Sequence, residues 1–306
     1  MEVVTVAGRV PADALGVVDV HEHLAAPASG RALAQEEDLD LSEPERVLED
    51  LRAFAAAGGG ALVEMTTVDY GRDLAALKRL ASDSGIHVVA ATGFNKGRYA
   101  REFVEGREPG ELSRAQVGDV ADGCGVVKFG TSLNEIAPWE ETAARAAALT
   151  HLETGIPIST HTEAGTMALE QLELLESCGV PASAVIVGHL DRNPELELHR
   201  EVIRRGAFVS YDQLPKPKYA TADDATRNIV ALAREGLHEQ VVLGGDLSRR
   251  SYFGGWGGSP GLAFLVSEFR ERLRAALDAA SLDAAEVLED LYVRNPARAL
   301  AVRDHA

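Results

Sequence analysis

The sequence predicts one (β/α)8 barrel, a single domain of the α/β class over residues 1–306. Three observations carry this. Short apolar, β-branched runs recur at eight places. Segments rich in Ala, Leu, Glu and Arg, with apolar residues at helical spacing, separate most of them. Several of those segments run into glycine, as in AAAGGG, SDSG, LETG, ESCG, RRG and REG, where a left-handed residue closes a helix. Strand, loop, helix, glycine, strand is the rhythm of parallel β-α units, and eight of them without a linker close into a barrel. The rival is an open doubly wound sheet, whose usual form carries a G-x-G-x-x-G after the first strand; none stands there.

In chain order, VVDV at 17–20 is the first strand, and the amphipathic segment 43–57 is the helix that returns the chain. Strand 61–65 and helix 74–84 form the second unit. Strand 87–91 is followed by the loop TGFNKGRY, and no helix is read before strand 125–129. Helix 140–153 leads to strand 156–160, helix 166–178 to strand 184–188, and helix 195–205 to strand 207–210. Helix 222–235, strand 240–244 and helix 262–279 complete the set.

Composition narrows the function. A chain of 306 residues with 46% hydrophobic and 25% charged residues can bury a large core. A net charge of −18 argues against nucleic acid or an anionic membrane surface as partner. Two cysteines, Cys124 and Cys178, are no disulfide framework, which suits a reducing, cytoplasmic setting. The N-terminal stretch lacks the basic and apolar regions of a signal peptide, and no run approaches the roughly 18 apolar residues of a membrane span.

In such a barrel, chemistry gathers at the C-terminal ends of the strands. Those ends read VHEHL, VVKFG, STHTE, VGHLD and LGGDLS, which brings His21, His23, Lys128, His161, His189 and Asp246 to one mouth. Alternation puts His21 and His23 on the same side of their strand. Imidazole and carboxylate are the usual ligands of zinc and related ions, and this set exceeds what one tetrahedral ion needs. Two ions about 3.5 to 4 Å apart would use it. A lone strand-end histidine is more often a hydrogen-bonded core or surface residue, and Asp246 after two glycines could simply cap a helix. Four of nine histidines at one structural station outweigh that reading. His87, His151, His199, His238 and His305 fall elsewhere and read as structural or solvated.

With these residues in place, the sequence resembles the phosphotriesterase family of the amidohydrolase superfamily, nearly end to end. The match is firmest in GVVKFGTS, TGIPISTHTEAG, VIVGHLD and VLGGDLSRRSYF, with VRNPARAL closing the chain. The resemblance implies a metal-dependent hydrolase with two divalent ions, zinc first, manganese or cobalt as alternatives. His21, His23 and Asp246 would hold the more buried ion, His161 and His189 the more exposed one, and a carboxylated Lys128 would bridge them. A bridging hydroxide would attack, and Asp246 would accept its proton. The partner implied is a small-molecule ester or lactone, and a homodimer is common among similar proteins.

Loops decide the substrate. YDQLPKPKYA after strand 7 and DLSRRSYFGGWGGSPG after strand 8 place Lys216, Lys218, Arg249, Arg250 and Tyr252 beside the mouth of an acidic protein, a cluster suited to a dianionic phosphate. The spacing Asp246, Arg249, Tyr252 resembles the branch that opens phosphorylated sugar lactones. Tyr99, with Lys96 and Arg98, adds possible substrate contacts from the third loop. Phosphotriester or aryl ester hydrolysis, acyl-homoserine lactone hydrolysis and a non-catalytic binding role are the alternatives.

Overall fold

The computed structural model describes residues 1–27, 36–216, 218 and 221–303. A hairpin of β1 (Glu2–Thr5) and β2 (Gly8–Pro11) precedes eight parallel strands. These are β3 (Val17–Glu22), β4 (Gly59–Glu64), β5 (His87–Gly93), β6 (Cys124–Gly130), β7 (Ile158–His161), β8 (Val185–Gly188), β9 (Phe208–Tyr211) and β10 (Val241–Leu243). Each pairs with the next in chain order. The two edges meet where the Asp246 N–H donates to the His21 carbonyl at 2.7 Å, so the sheet closes as the predicted barrel.

Period-two alternation builds two cores. Val18, Val20, Ala61, Val63, Val89, Ala91, Val126, Ile186 and Val242 point inward and fill the barrel. Leu62, Val88, Ala90, Val127, Ile158, Val187 and Val209 point outward against the helices. The inner set leaves no room for a pore, so the chemistry is confined to the rim.

The N-terminal hairpin plugs the opposite end. Val6 N–H donates to the Val88 carbonyl at 2.9 Å. Gly125 is required there, because a Cβ would stand 2.0 Å from the Val4 carbonyl oxygen. Sequence reading passed over this hairpin, since four-residue strands with mostly exposed side chains on β2 leave no periodic signal.

Helices Gly97–Val104 and Pro109–Ala121 fill the stretch where none was expected. The second buries Leu112, Ser113 and Gln116, two polar residues out of three, so it lacks an apolar stripe. Its burial is polar instead: Thr150, on helix Pro138–Thr154, donates to Gln116 Oε1 at 2.6 Å. The expected last helix is interrupted by a π-turn, Leu265–Phe269, before continuing as Arg270–Ala279. Within VRNPARAL, Asn295 donates to the His238 and Val241 carbonyls, both at 2.8 Å, and ties the C-terminal helix to the start of β10. Among the described residues no helix is long and apolar enough to cross a membrane.

Candidate active site

The six side chains expected at the mouth stand together there, all buried. His21 and His23 leave the end of β3 with ring centroids 5.7 Å apart. His21 lies 5.0 Å from His189, and His189 lies 4.4 Å from His161. Lys128 Nζ is 3.5 Å from His21 Nε2 and donates to the Met65 carbonyl at 3.3 Å. Asp246 Oδ1 is 3.2 Å from His23 Nε2. His21, His23 and Asp246 form one group with ligand atoms close enough to share an ion, and His21, His189 and Asp212 form another.

Backbone geometry at the rim is unusual. His189 and Asp246 adopt left-handed φ of 61° and 49°, a conformation costly for residues with a Cβ and persistent only where surroundings enforce it. The glycines before Asp246 allow β3 to approach: a Cβ on Gly245 would sit 2.3 Å from Glu22 Oε1.

Asp212, just past β9, was not singled out from sequence although YDQL places it at the same strand-end station. It accepts from His21 Nδ1 at 2.9 Å, and from the His189 Nδ1 and backbone N–H at 2.7 and 2.9 Å. Burial alone would raise its carboxyl; His189 and His21 overcome this and hold it well below the usual range. Asp212 therefore fixes both imidazoles with Nδ1 as donor and Nε2 as the free lone pair. His23 Nδ1 pairs likewise with Thr66 Oγ1 at 2.9 Å.

Burial also disfavours the charged forms of His21, His23 and His161. His21 is lowered to about 3 by burial and the nearby Lys128, and His23 to about 4, mainly by burial. Burial pushes the Lys128 amine down as well. Imidazoles, a carboxylate and an amine that burial disfavours as ammonium fit a divalent metal centre.

Glu64, at the end of β4, is fully buried within electrostatic reach of Lys128. Its oxygens accept from the Leu24 and Thr66 N–H groups at 3.1 and 3.2 Å, yet burial raises its carboxyl to about 7. The folded state thus binds a proton that the unfolded chain releases near 4.5. This stabilisation is full below 4.5 and is lost as pH rises through 7. In metal-free protein, Glu64→Gln will gain stability relative to wild type between pH 5 and 8, by on the order of 2–3 kcal/mol. Parallel thermal-melt curves across that range would contradict the assignment.

A cavity of about 150 Å³ opens above these groups. Lys216, Lys218, Arg249, Tyr252, Tyr99 and Lys96, all named from the sequence, line it, together with Glu163, Arg192, Asn95, Tyr70 and Gln213, which were not. Lys216 is buried and donates to Asp246 Oδ2 at 2.5 Å, while Gln213 donates to the same oxygen at 3.0 Å. Arg249 pairs with Glu36 at 3.3 Å and with Asp38 at 3.5 Å. Arg250 does not line the cavity, contrary to expectation. Its side chain turns outward, donates to the Asp40 carbonyl and carboxylate at 2.5 and 2.9 Å, and lies over Trp256. Neighbouring residues of one loop face different ways, Asp40 and Glu37 supplying the acceptors that hold Arg250. Arg98 is likewise turned away, stacked on Tyr99.

The remaining histidines serve the fold. His151 Nδ1 donates to the Ile156 carbonyl at 2.7 Å, His199 pairs with Tyr211 at 2.5 Å, and His238 with Asp290 at 3.1 Å. His87 opens β5 at the far end, and His305 lies outside the described residues.

Comparison with known proteins agrees with this site. A lactonase of known structure from Listeria monocytogenes superposes with a TM-score of 0.95 at 32% identity, over 99% of this chain and 100% of that one. The phosphotriesterase homology protein of Escherichia coli K12 is 34% identical over 86% of this chain and 91% of its own. Its crystal structure, described as complexed with phosphate in the active site, superposes at a TM-score of 0.88, covering 94% and 99% of the two chains. The phospho-furanose lactonase of Mycoplasmopsis synoviae is 27% identical over 97% of this chain and 91% of its own. The sequence profile of the phosphotriesterase family matches residues 1–300. With a barrel whose rim gathers these histidines and carboxylates, the chain is a hydrolytic enzyme belonging to the phosphotriesterase family.

Proposed function

We propose that this enzyme opens a phosphorylated sugar lactone with the help of two divalent ions. The observation that carries the reading is one cavity with two chemically distinct ends. Imidazoles and carboxylates form its floor, and Lys218, Arg249 and Tyr252 form a cationic and hydroxyl rim. His21, His23 and Asp246 would hold one ion, His161 and His189 the other, and Lys128 would bridge them once carboxylated. Burial disfavours a free ammonium at Lys128, and a neutral amine is the form that bonds to carbon dioxide. Zinc suits this donor set, with manganese and cobalt as alternatives. When bound, such ions supply Lewis acidity and acidify water near neutral pH.

The chain's own residues handle orientation and protons. Asp212 keeps His21 and His189 in the tautomer that offers Nε2. Asp246 takes the proton of the attacking water and passes it to the ring oxygen as the acyl C–O bond breaks. Lys216 and Gln213 hold Asp246 Oδ2 in place and keep it anionic. A phosphate on the rim would accept from Arg249, Lys218 and Tyr252, anchoring the lactone away from the reacting carbon. The lining offers little apolar surface for a long acyl chain.

Arg249→Ala tests the anchor. It will raise KM for a phosphorylated lactone by about 10 to 100-fold, the loss of one or two charge-assisted hydrogen bonds, and will change KM for the unphosphorylated lactone far less. Equal effects on both would refute the phosphate anchor.

A further inference from the structure

A second polar cluster stands in the cavity wall, next to His161, and none of its three residues was given a role in the chemistry above. Lys96 follows β5, Glu163 follows β7 and Arg192 follows β8, so three strand ends contribute one charge each. Glu163 pairs through Oε2 with the Lys96 ammonium, the same oxygen lying 3.3 Å from His161 Nε2, and through Oε1 with Arg192 at 2.7 Å. Their side chains are only 27%, 22% and 13% exposed, and all three face the catalytic cavity. A second chamber of about 420 Å³, lined by Gly97, Arg98, Ser132 and Leu133, shares Lys96, Tyr99 and Glu163 with that cavity. The Lys96–Glu163 pair is thus a partition with open space on both sides.

The backbone is built to present it. Lys96 N–H donates to Asn95 Oδ1 at 2.9 Å, and the Asn95 N–H is itself held by both Asp69 oxygens. Gly97 N–H donates to buried Glu140 at 2.7 Å. After Glu163 the chain takes a left-handed φ at Ala164, 54°, and again at Met167, 63°. A Cβ on Gly130 would lie 2.9 Å from the Lys96 Cβ and 3.0 Å from the His161 Cβ, so glycine there lets this wall reach the floor. Partly desolvated charges held by strained backbone contribute little to stability by themselves.

The chemistry of the triad selects its ligand. Both cations are already paired with Glu163, which leaves them less able than the rim to hold a dianionic phosphate, and three charged groups disfavour an alkyl chain. A carboxylate flanked by two cations does suit vicinal hydroxyls, because it accepts their protons while the cations donate to their oxygens. We propose that Lys96, Glu163 and Arg192 recognise a pair of ring hydroxyls on the substrate, across the cavity from the phosphate rim, and so select polyhydroxylated lactones. This rests on the lactonase reading above.

The test compares a phosphorylated lactone bearing two free ring hydroxyls with its dideoxy analogue, on wild type, Lys96→Met and Glu163→Gln. Metal content and thermal midpoint are measured alongside. Wild type will prefer the hydroxylated substrate in kcat/KM by at least about tenfold, as expected when buried polar groups are left unpaired. Both variants will lower that preference at least about tenfold at unchanged metal content. Equal losses on the two substrates, or no wild-type preference, overturn the triad while leaving the lactonase reading intact. Absence of wild-type turnover of every lactone overturns the lactonase reading, and the triad with it. Should Glu163→Gln lose metal, Lys96→Met decides, being further from His161.

Discussion

Purified Lys128→Ala will hold less than one equivalent of divalent metal after growth in metal-supplemented medium, with kcat/KM lowered by on the order of 10³-fold or more. Lys128 is buried at the centre of the rim, 3.5 Å from His21 Nε2, where burial opposes a free ammonium. Truncation removes the group proposed to bridge the two ions and leaves a small void that a short carboxylic acid can enter. Acetate or propionate will therefore restore part of the metal content and part of the rate, and alanine without additive will not. Elemental analysis beside steady-state kinetics checks both. Wild-type metal content in Lys128→Ala would refute the bridging carbamate, whatever happened to the rate.

Asp246→Asn will lower kcat by about 10² to 10⁴-fold, the range for loss of a positioned proton acceptor, with a smaller change in KM. The amide cannot accept a proton, and it gives Lys216 no anion to pair with. Burial would raise the Asp246 carboxyl, but the Lys216 cation and the His23 hydrogen bond hold it well below the usual carboxylate range. Asp246 thus stays ionised through the acid side of the working range. The acid limb of the wild-type kcat profile then belongs to another group, and the residual activity of Asp246→Asn will keep that limb at the same pH. A limb that disappears in the variant would assign the titration to Asp246 after all.

The barrel was legible because its evidence is local. Strand runs such as VVDV and GVVKF, helix spacing and terminal glycines each lie within a dozen residues, and topology then sets every strand end at one rim. Six residues of three types at those ends sufficed to place the metal-type cluster. Elements without apolar periodicity escaped: β2, mostly exposed, and helix Pro109–Ala121, whose packing against its neighbour is carried by Gln116 and Thr150.

Residue type at a strand end, and the order of those ends along the chain, were determined by the sequence alone, and with them the fold and the hydrolytic class. Which neighbour faces the cavity was decided only by tertiary packing. Arg249 and Arg250 are adjacent and chemically alike, yet Arg250 is held outward by Asp40 and Glu37 while Arg249, paired with Glu36 and Asp38, lines the cavity. Asp212 meets His21 across 191 positions, and Lys96, Glu163 and Arg192 come from three separate loops. Such pairings depend on distances set when the barrel closes, and no local pattern encodes them.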